Sequence, residues 1–266
     1  LYSTLPRGRR PHRVRPRGLI PYRDNGRNPS QPTRCPFGAQ LAGCIRYEFY
    51  INATDDYLAE LANVFNSILD GVDDYETFRT SIIFPIHKKG DLNEVSNYRG
   101  ISFMNSIAKI MMGAINERIT FWINSNHILN EFQAGFRKGY STVDNLYNLT
   151  TIVHIKFSEK KKVYAFFVDF SAAFDRIPRK LLIYKLYRIG LSNKIINFID
   201  KVYEDTKSAV WTGKELSRYF ETRTGVKQGC LLSPIMFALY INDLHEYLGG
   251  GLSIDDINIR VIMYAD

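Results

Sequence analysis

The sequence predicts an α+β fold in which helices pack on one face of a mostly antiparallel sheet. Two observations support this class. Segments with apolar residues at helical spacing alternate along the chain with short β-branched and aromatic runs that are typical of buried strands. Two of these runs end in an acidic residue, at Asp169 and at Asp266, where a buried carboxylate is costly unless it is paired or binds a cation.

The individual elements are predicted from apolar periodicity together with caps and breakers. Thr54 and Ser141 are candidate N-caps, and Pro178 suits the first turn of a helix because no N–H is needed there. In chain order, we predict a helix over residues 55–70, a strand over 80–86, helices over 105–124 and 141–158, a strand over 163–169, helices over 178–189 and 192–204, a hairpin over 208–224 with its turn near Thr212-Gly213, a helix over 233–248 and a strand over 258–264.

Length and composition exclude several classes of protein. The chain has 266 residues and is 45% hydrophobic, which is enough to bury a sizeable core. The longest apolar stretch, residues 231–241, is too short to span a bilayer, and there is no basic start followed by an apolar run. We therefore expect no membrane association and a nuclear or cytoplasmic, not secreted, protein. The 3 cysteines share no CxxC spacing, so neither a disulfide framework nor a zinc finger is predicted.

The positive charge is concentrated at the N-terminus. Residues 1–34 contain nine arginines and the single acid Asp24, which accounts for the whole net charge of +8. We expect residues 1–47 to be a disordered tail rich in Arg and Pro, since charge runs are usually solvated. The alternative is non-specific contact with RNA. The remainder of the chain is neutral, so a binding groove there has to come from local placement of charges.

Chemistry-bearing residues occur in a fixed order along the second half. Two carboxylates on neighbouring strands, Asp169 and Asp266, are suited to hold a pair of divalent ions for nucleotidyl transfer. Between them lies a glycine-flanked loop, Gly225–Pro234, that runs into a helix. The order of acidic strand, Gln228-Gly229 loop and Tyr264-Ala265-Asp266 resembles the palm of reverse transcriptases. The sequence is most similar to non-LTR (LINE-type) retrotransposons of the jockey type.

This resemblance covers residues 49–266 and implies a right-hand polymerase fragment, with fingers plus an incomplete palm. The fingers-like helical region would be residues 48–160 and the palm-like region residues 161–266. The family's final motif has a second Asp directly after Asp266, so the resemblance implies that this chain stops within that motif and that the thumb is absent.

The function implied is that of an RNA-directed DNA polymerase. Its partners would be an RNA template, a DNA primer with a 3′-hydroxyl, and dNTPs, and its cofactor would be Mg²⁺. Asp169 and Asp266 are the expected catalytic metal ligands, because Mg²⁺ takes oxygen ligands. An alternative is a catalytically inert fragment, either a nucleic-acid-binding module or a relic. A third hypothesis is an RNA-dependent RNA polymerase, but Phe174 and the Gln228-Gly229 loop argue against it.

Three residues around the loop are expected to contact the nucleotide. In the family pattern, the aromatic at Phe174 lies under the sugar and would collide with a 2′-hydroxyl, although an ordinary core phenylalanine is an equal alternative. Gln228 and Gly229 match the loop beside the templating base, where Gly229 permits close approach and Gln228 can both donate and accept. Asp175 is predicted to cap the helix that Pro178 begins.

Basic residues of the fingers-like region are the remaining candidates. The segments 86–90 and 97–102 resemble the part of the family's fingers that grips phosphates. Arg99 is the stronger candidate because a guanidinium forks onto phosphate oxygens, and Lys88 is either a second contact or a solvated turn residue. The segment 133–142 resembles the next block of the fingers, in which Arg137 is a candidate for template or phosphate contact, the alternative being a surface arginine before a helix.

Overall fold

The structure, a computed structural model, describes residue 45 and residues 47–72, 75–254 and 256–264. Almost all of the predicted tail over residues 1–47 therefore lies outside the described residues. The helices are α1 (Tyr47–Ile51), α2 (Asp55–Leu69), α3 (Glu76–Arg79), α4 (Ser106–Ser125), α5 (Thr142–Ser158), α6 (Arg179–Arg188), α7 (Asn193–Tyr203), α8 (Ser233–Ile241) and α9 (Leu244–Tyr247), with a short 3₁₀ helix over Val95–Asn97. The strands are β1 (Thr80–His87), β2 (Tyr98–Phe103), β3 (Lys207–Val210), β4 (Phe220–Glu221), β5 (Leu252–Ile254) and β6 (Ile257–Ile259). An α+β class is confirmed.

Local capping explains why several helices begin where the sequence predicts. Thr54 precedes α2, and its side chain accepts a hydrogen bond from the Tyr57 backbone N–H at 3.3 Å. Before α5, the Ser141 backbone N–H donates to the Asp144 carboxylate at 2.6 Å. Helix α6 begins at Arg179, one residue after the predicted start, with Pro178 as its N-cap. These termini depend on contacts within four residues of sequence, which is why a single sequence is enough to predict them.

Helix α4 contributes a large part of the core. Its buried side chains recur every three to four residues and are Ala108, Met111, Met112, Ile115, Ile119 and Ile123. They belong to one cluster with buried residues of α6, α7 and α8. Among the described helices, none is long and apolar enough to cross a membrane.

The main sheet has four strands in the order β2-β1-β3-β4. β1 is antiparallel to β2 and parallel to β3, and β3 is antiparallel to β4. The predicted sheet is thus confirmed as largely antiparallel, with one parallel pairing at its centre. β5 and β6 form a separate antiparallel hairpin.

Pro85 lies within β1 and does not end it. The Trp211 backbone N–H donates to the Ile83 carbonyl at 2.9 Å, so the backbone polar groups of Ile83 point toward β3. Because this direction repeats every second residue of a strand, the backbone nitrogen of Pro85 also points toward β3. β3 pairs with β1 only as far as Ile83, and the missing N–H of Pro85 therefore breaks no ladder hydrogen bond. On the other side Pro85 pairs with Gly100, where a Cβ would lie 2.8 Å from the Ile83 side chain.

The strand predicted over residues 163–169 is wrong. Residues 161–170 run without strand pairing, and their aromatic side chains are exposed, with Phe166 at 97% and Phe167 at 85%. A strand requires the edge of a neighbour, and the described residues provide none beside this segment. The apolar pattern of one segment carries no information on whether such a neighbour is present.

The predicted last helix and last strand are both interrupted. The helix predicted over 233–248 divides into α8 and α9 at Asn242, whose side chain donates to the Ile128 carbonyl at 2.9 Å and accepts from the Asn130 N–H at 2.8 Å. The strand predicted over 258–264 is reduced to β6, followed by a single bridge between Met263 and Gln133. In both cases contacts distant in sequence override the local pattern.

Arg179, in the first turn of α6, joins several of these elements. Its guanidinium donates to the backbone carbonyls of Tyr203, Thr222, Thr224 and Gly225 and to the Thr206 hydroxyl, over 2.7–3.3 Å. The Arg179 group also lies 5.2 Å from the centre of the Tyr203 ring. Burial lowers the pKa of Arg179. Three of these carbonyls, those of Thr222, Thr224 and Gly225, lie just before the Gln228-Gly229 loop in the chain.

Candidate active site

The Gln228-Gly229 loop is docked against strand β2 through its backbone. The Ser102 N–H donates to the Gln228 carbonyl at 2.6 Å. Gly229 has φ of +104°, and a Cβ there would lie 2.8 Å from the Ser102 carbonyl oxygen. The position therefore requires glycine twice, once for its backbone conformation and once for the absence of a side chain.

The same loop is joined to the segment that follows Asp169. The Val226 N–H donates to the Phe174 carbonyl at 2.8 Å, and the Gly225 N–H donates to the Ile177 carbonyl at 2.9 Å. A Cβ on Gly225 would lie 2.6 Å from the backbone of Asp175. The structure thus brings together two of the predicted motifs, which are about fifty residues apart in sequence.

Lys227 anchors the loop through its buried side chain, a role that the sequence analysis does not predict. Its buried ammonium donates to the carbonyls of Phe78 and Arg79, and the Ser233 hydroxyl donates to the Lys227 carbonyl at 2.7 Å. Burial lowers the pKa of Lys227 to about 8. The only signal in the sequence is a lone lysine between the apolar residues Val226 and Cys230. The structure shows that both of these neighbours are buried.

Phe174 lies in an aromatic group drawn from three segments. It is partly buried and stacks on Phe237 of α8, with ring centroids 5.3 Å apart at 28°. Phe136, from the segment before α5, meets the Phe174 ring edge-on at 5.9 Å. Phe170 contacts the same Phe237 ring at 6.3 Å. Packing therefore fixes the position of the Phe174 ring at the side of the loop.

The predicted pair of metal ligands is described in part. The Asp169 side chain is exposed, and its carboxylate forms no hydrogen bond or ion pair with the described part of the chain. Asp266 lies outside the described residues, so its convergence with Asp169 stays a prediction. Over the described ranges no three acidic, histidine or cysteine residues form a group suited to a metal ion. A carboxylate free of protein partners is nevertheless the type of oxygen ligand that Mg²⁺ takes, and Asp169 fits that requirement.

The segment that leads toward Asp266 is held by the region before α5 and by the first turn of α5. The Met263 N–H donates to the Phe132 carbonyl at 2.8 Å, and the Ala134 N–H donates to the Met263 carbonyl at 3.0 Å. The Asn145 side chain donates to the same Met263 carbonyl at 2.9 Å. Met263, which directly precedes the predicted Tyr264-Ala265-Asp266 motif, is therefore adjacent to the predicted motif over residues 133–142.

Arg99 and Lys88 lie on the β1–β2 hairpin, and both are exposed. Neither side chain forms a hydrogen bond or an ion pair within the part of the chain that the structure describes. Arg99 is three residues from Ser102, which places it about 10 Å along β2 from the docked loop. Arg99, on the strand that contacts the loop, and Lys88, in the connection before that strand, are thus free to meet an anion.

Arg137 has a mainly structural setting. Its guanidinium donates to the carbonyls of Asn130 and Gln133 at 3.3 and 3.2 Å, and it lies 4.1 Å from the centre of the Tyr140 ring. These contacts hold the turn before α5. Arg137 also lines a cavity of about 770 Å³ near His127 and His245, away from the Gln228-Gly229 loop. Contact of Arg137 with a template stays a prediction.

The helix-capping role predicted for Asp175 is wrong. Pro178 occupies the N-cap of α6, and no side chain accepts a hydrogen bond there. The Asp175 carboxylate instead accepts from the Gln228 side-chain amide, with Nε2 and Oδ2 separated by 2.8 Å. Asp175 is three positions before the cap residue Pro178, and its backbone lies against Gly225, which places its side chain beside the loop.

Comparisons with known proteins find sequence similarity over most of the chain. The profile of the family described as reverse transcriptase (RNA-dependent DNA polymerase) matches residues 86–266. A probable RNA-directed DNA polymerase from transposon BS of Drosophila melanogaster is 30% identical over 185 residues, which cover 69% of this chain and 20% of that protein. The RNA-directed DNA polymerase from the mobile element jockey of the same species is 26% identical over 213 residues, covering 80% of this chain and 23% of that protein. The chain thus spans about a fifth to a quarter of the length of these relatives.

A comparison of two glycine substitutions tests the docking of the loop. Gly229→Ala combines a strained φ with contact against the Ser102 carbonyl, whereas Gly213→Ala, at φ of +93°, meets open space. We expect Gly213→Ala to reduce the free energy of unfolding by about 1 kcal/mol and Gly229→Ala to reduce it by about 2–4 kcal/mol. Urea denaturation measures both. Equal losses would show that the loop does not rest against β2.

Proposed function

Because this chain belongs to the reverse transcriptase (RNA-dependent DNA polymerase) family, we propose that it carries the nucleotide-binding part of a polymerase encoded by a jockey-like non-LTR retrotransposon. The reaction would be RNA-templated addition of dNTPs to the 3′-hydroxyl of a DNA primer. The observation that supports this most strongly is the docking of the Gln228-Gly229 loop between β2 and the segment that follows Asp169.

The proposed architecture is the fingers and palm of a right-hand polymerase. Residues 48–160 would form the fingers, which include the β1–β2 hairpin and its exposed cations. Residues 161–266 would form the palm, which includes the acidic segments and the loop. The hydrogen bond between Ser102 and Gln228 is then a direct connection between fingers and palm.

The acidic residues would hold the metal. Asp169 and Asp266 are the proposed ligands of Mg²⁺, which supplies charge neutralisation at the triphosphate and a lower pKa for the primer hydroxyl. The free carboxylate of Asp169 is suited to this role because no described cation competes for it. The exposure of residues 164–170 leaves that carboxylate open to solvent and to a substrate.

The remaining residues would bind and orient the nucleotide. Arg99 and Lys88 offer uncompensated positive charge to phosphate oxygens, and a guanidinium can engage two of them at once. Gly229 allows the loop to lie against β2, and its exposed backbone would approach the base pair. The Phe174 ring, fixed by its stack on Phe237, would lie against the sugar and leave no room for a 2′-hydroxyl.

Asp169→Asn tests the proposed metal ligand. The amide keeps the shape of the carboxylate but removes the charge that the cation requires, so Mg²⁺-dependent primer extension by a polypeptide containing residues 1–266 should fall at least about a hundredfold. The free energy of unfolding should change little, since Asp169 is exposed. Asp200→Asn, in an exposed position on α7, is the matched control. Extension by Asp169→Asn at the level of that control would show that Asp169 is not a ligand.

Phe174→Ala tests the contact with the sugar. Removing the ring should raise incorporation of rNTPs relative to dNTPs by about tenfold, because space opens for the 2′-hydroxyl. Phe170→Ala is the control, since Phe170 contacts the same Phe237 ring. If both variants lose stability while the ratio of rNTP to dNTP stays at its original value, Phe174 is a packing residue only.

A further inference from the structure

The Asp175–Gln228 hydrogen bond connects two residues whose backbones are already fixed. The Gln228 carbonyl is bound by the Ser102 N–H at 2.6 Å, and the Asp175 backbone lies within 2.6 Å of the place where a Gly225 Cβ would be. The Asp175 N–H donates to the Ala172 carbonyl at 3.0 Å. The side chains therefore meet across a gap of fixed width, and the contact of 2.8 Å is set by both loops.

The chemistry of this pair decides which end of the Gln228 amide faces outward. A carboxylate only accepts hydrogen bonds, so the amide nitrogen has to face Asp175. The carbonyl oxygen Oε1 is then turned away, and it has no hydrogen-bond partner among the described residues. An amide without such a neighbour is free to present either its donor or its acceptor.

We propose that Asp175 is a positioning residue that holds the Gln228 amide so that Oε1 faces the nucleotide site as a hydrogen-bond acceptor. The group recognised would be an N–H or O–H donor, on a base edge or on the sugar of the incoming nucleotide. This inference rests on the proposed function of the loop and adds a defined polarity to it. Asp175 acts through Gln228 and does not itself touch the substrate.

The amide and the carboxylate can be exchanged between positions 175 and 228 without altering the total charge of the pair. The single variants are Asp175→Asn, which pairs two amides, and Gln228→Glu, which places two carboxylates together. The double variant Asp175→Asn/Gln228→Glu again pairs one amide with one carboxylate, now with the donor on residue 175. Residue 228 then still presents an acceptor oxygen. Asp200→Asn serves as a control for the loss of an exposed aspartate.

Hydrogen exchange of the 266-residue chain measures the pairing itself. In Gln228→Glu, repulsion should increase exchange of the amides in residues 225–230 by about tenfold, and the double variant should return it to within about twofold of the original protein. The Asp200→Asn control should leave these amides unchanged. Exchange in the double variant as fast as in Gln228→Glu would overturn the pairing.

Nucleotide binding measures the polarity of the amide. With an RNA template and DNA primer, Asp175→Asn should raise the KM for dNTP about three- to tenfold with a smaller change in kcat, and the double variant should recover most of that loss. A purely structural role predicts no recovery of KM beyond the recovery of stability, and that result would overturn the proposal. In the unaltered protein, primer–template and dNTP should protect the amides of residues 225–230 from hydrogen exchange. Absence of this protection would refute the proposed function and the proposed polarity of the Gln228 amide. The exchange results on the Asp175–Gln228 pair would remain intact.

Discussion

The Arg179 guanidinium is the contact on which the arrangement of the site depends. It is a half-buried cation whose five acceptors are four backbone carbonyls and one hydroxyl, with no carboxylate among them. An arginine cannot lose its proton in a protein, so burial of this group is tolerated only while the carbonyls remain in place. Those carbonyls fix the end of α7 and residues 222–225 relative to α6.

The loop that follows is held at several points. Lys227 is fixed by the carbonyls of Phe78 and Arg79, and Gln228 is fixed by Ser102. Gly225 and Gly229 provide the close approaches that these contacts need. A nucleotide site benefits from such rigidity, because groups that are already in position lose little freedom when the substrate binds. Residues 161–170 form no helix or strand and are almost all exposed, so the fixing contacts are concentrated in the loop.

The sequence predicts local features well and long-range ones poorly. The helices with apolar stripes and caps, such as α2 and α5, are confirmed because each cap interacts within its own first turn. The strand over residues 163–169 is wrong because its apolar pattern does not reveal a pairing partner. The family resemblance assigns Phe174 and the Gln228-Gly229 loop to one site, and the structure brings their backbones together. The hydrogen bonds of the Arg179 guanidinium were not predicted. An arginine in the first turn of a helix normally points to solvent, and its carbonyl partners here lie 24 or more residues away.

We propose that a divalent cation binds beside Asp169, and direct detection of that cation is the sharpest test. Fe²⁺ replaces Mg²⁺ at oxygen-ligand sites, and with ascorbate and peroxide it produces hydroxyl radicals that cut the backbone close to the bound ion. If Asp169 is a ligand, the 266-residue chain should be cleaved within residues 163–175, and this cleavage should be suppressed by excess Mg²⁺ and lost in Asp169→Asn. Cleavage that is absent from this segment, or that persists unchanged in Asp169→Asn, would contradict it.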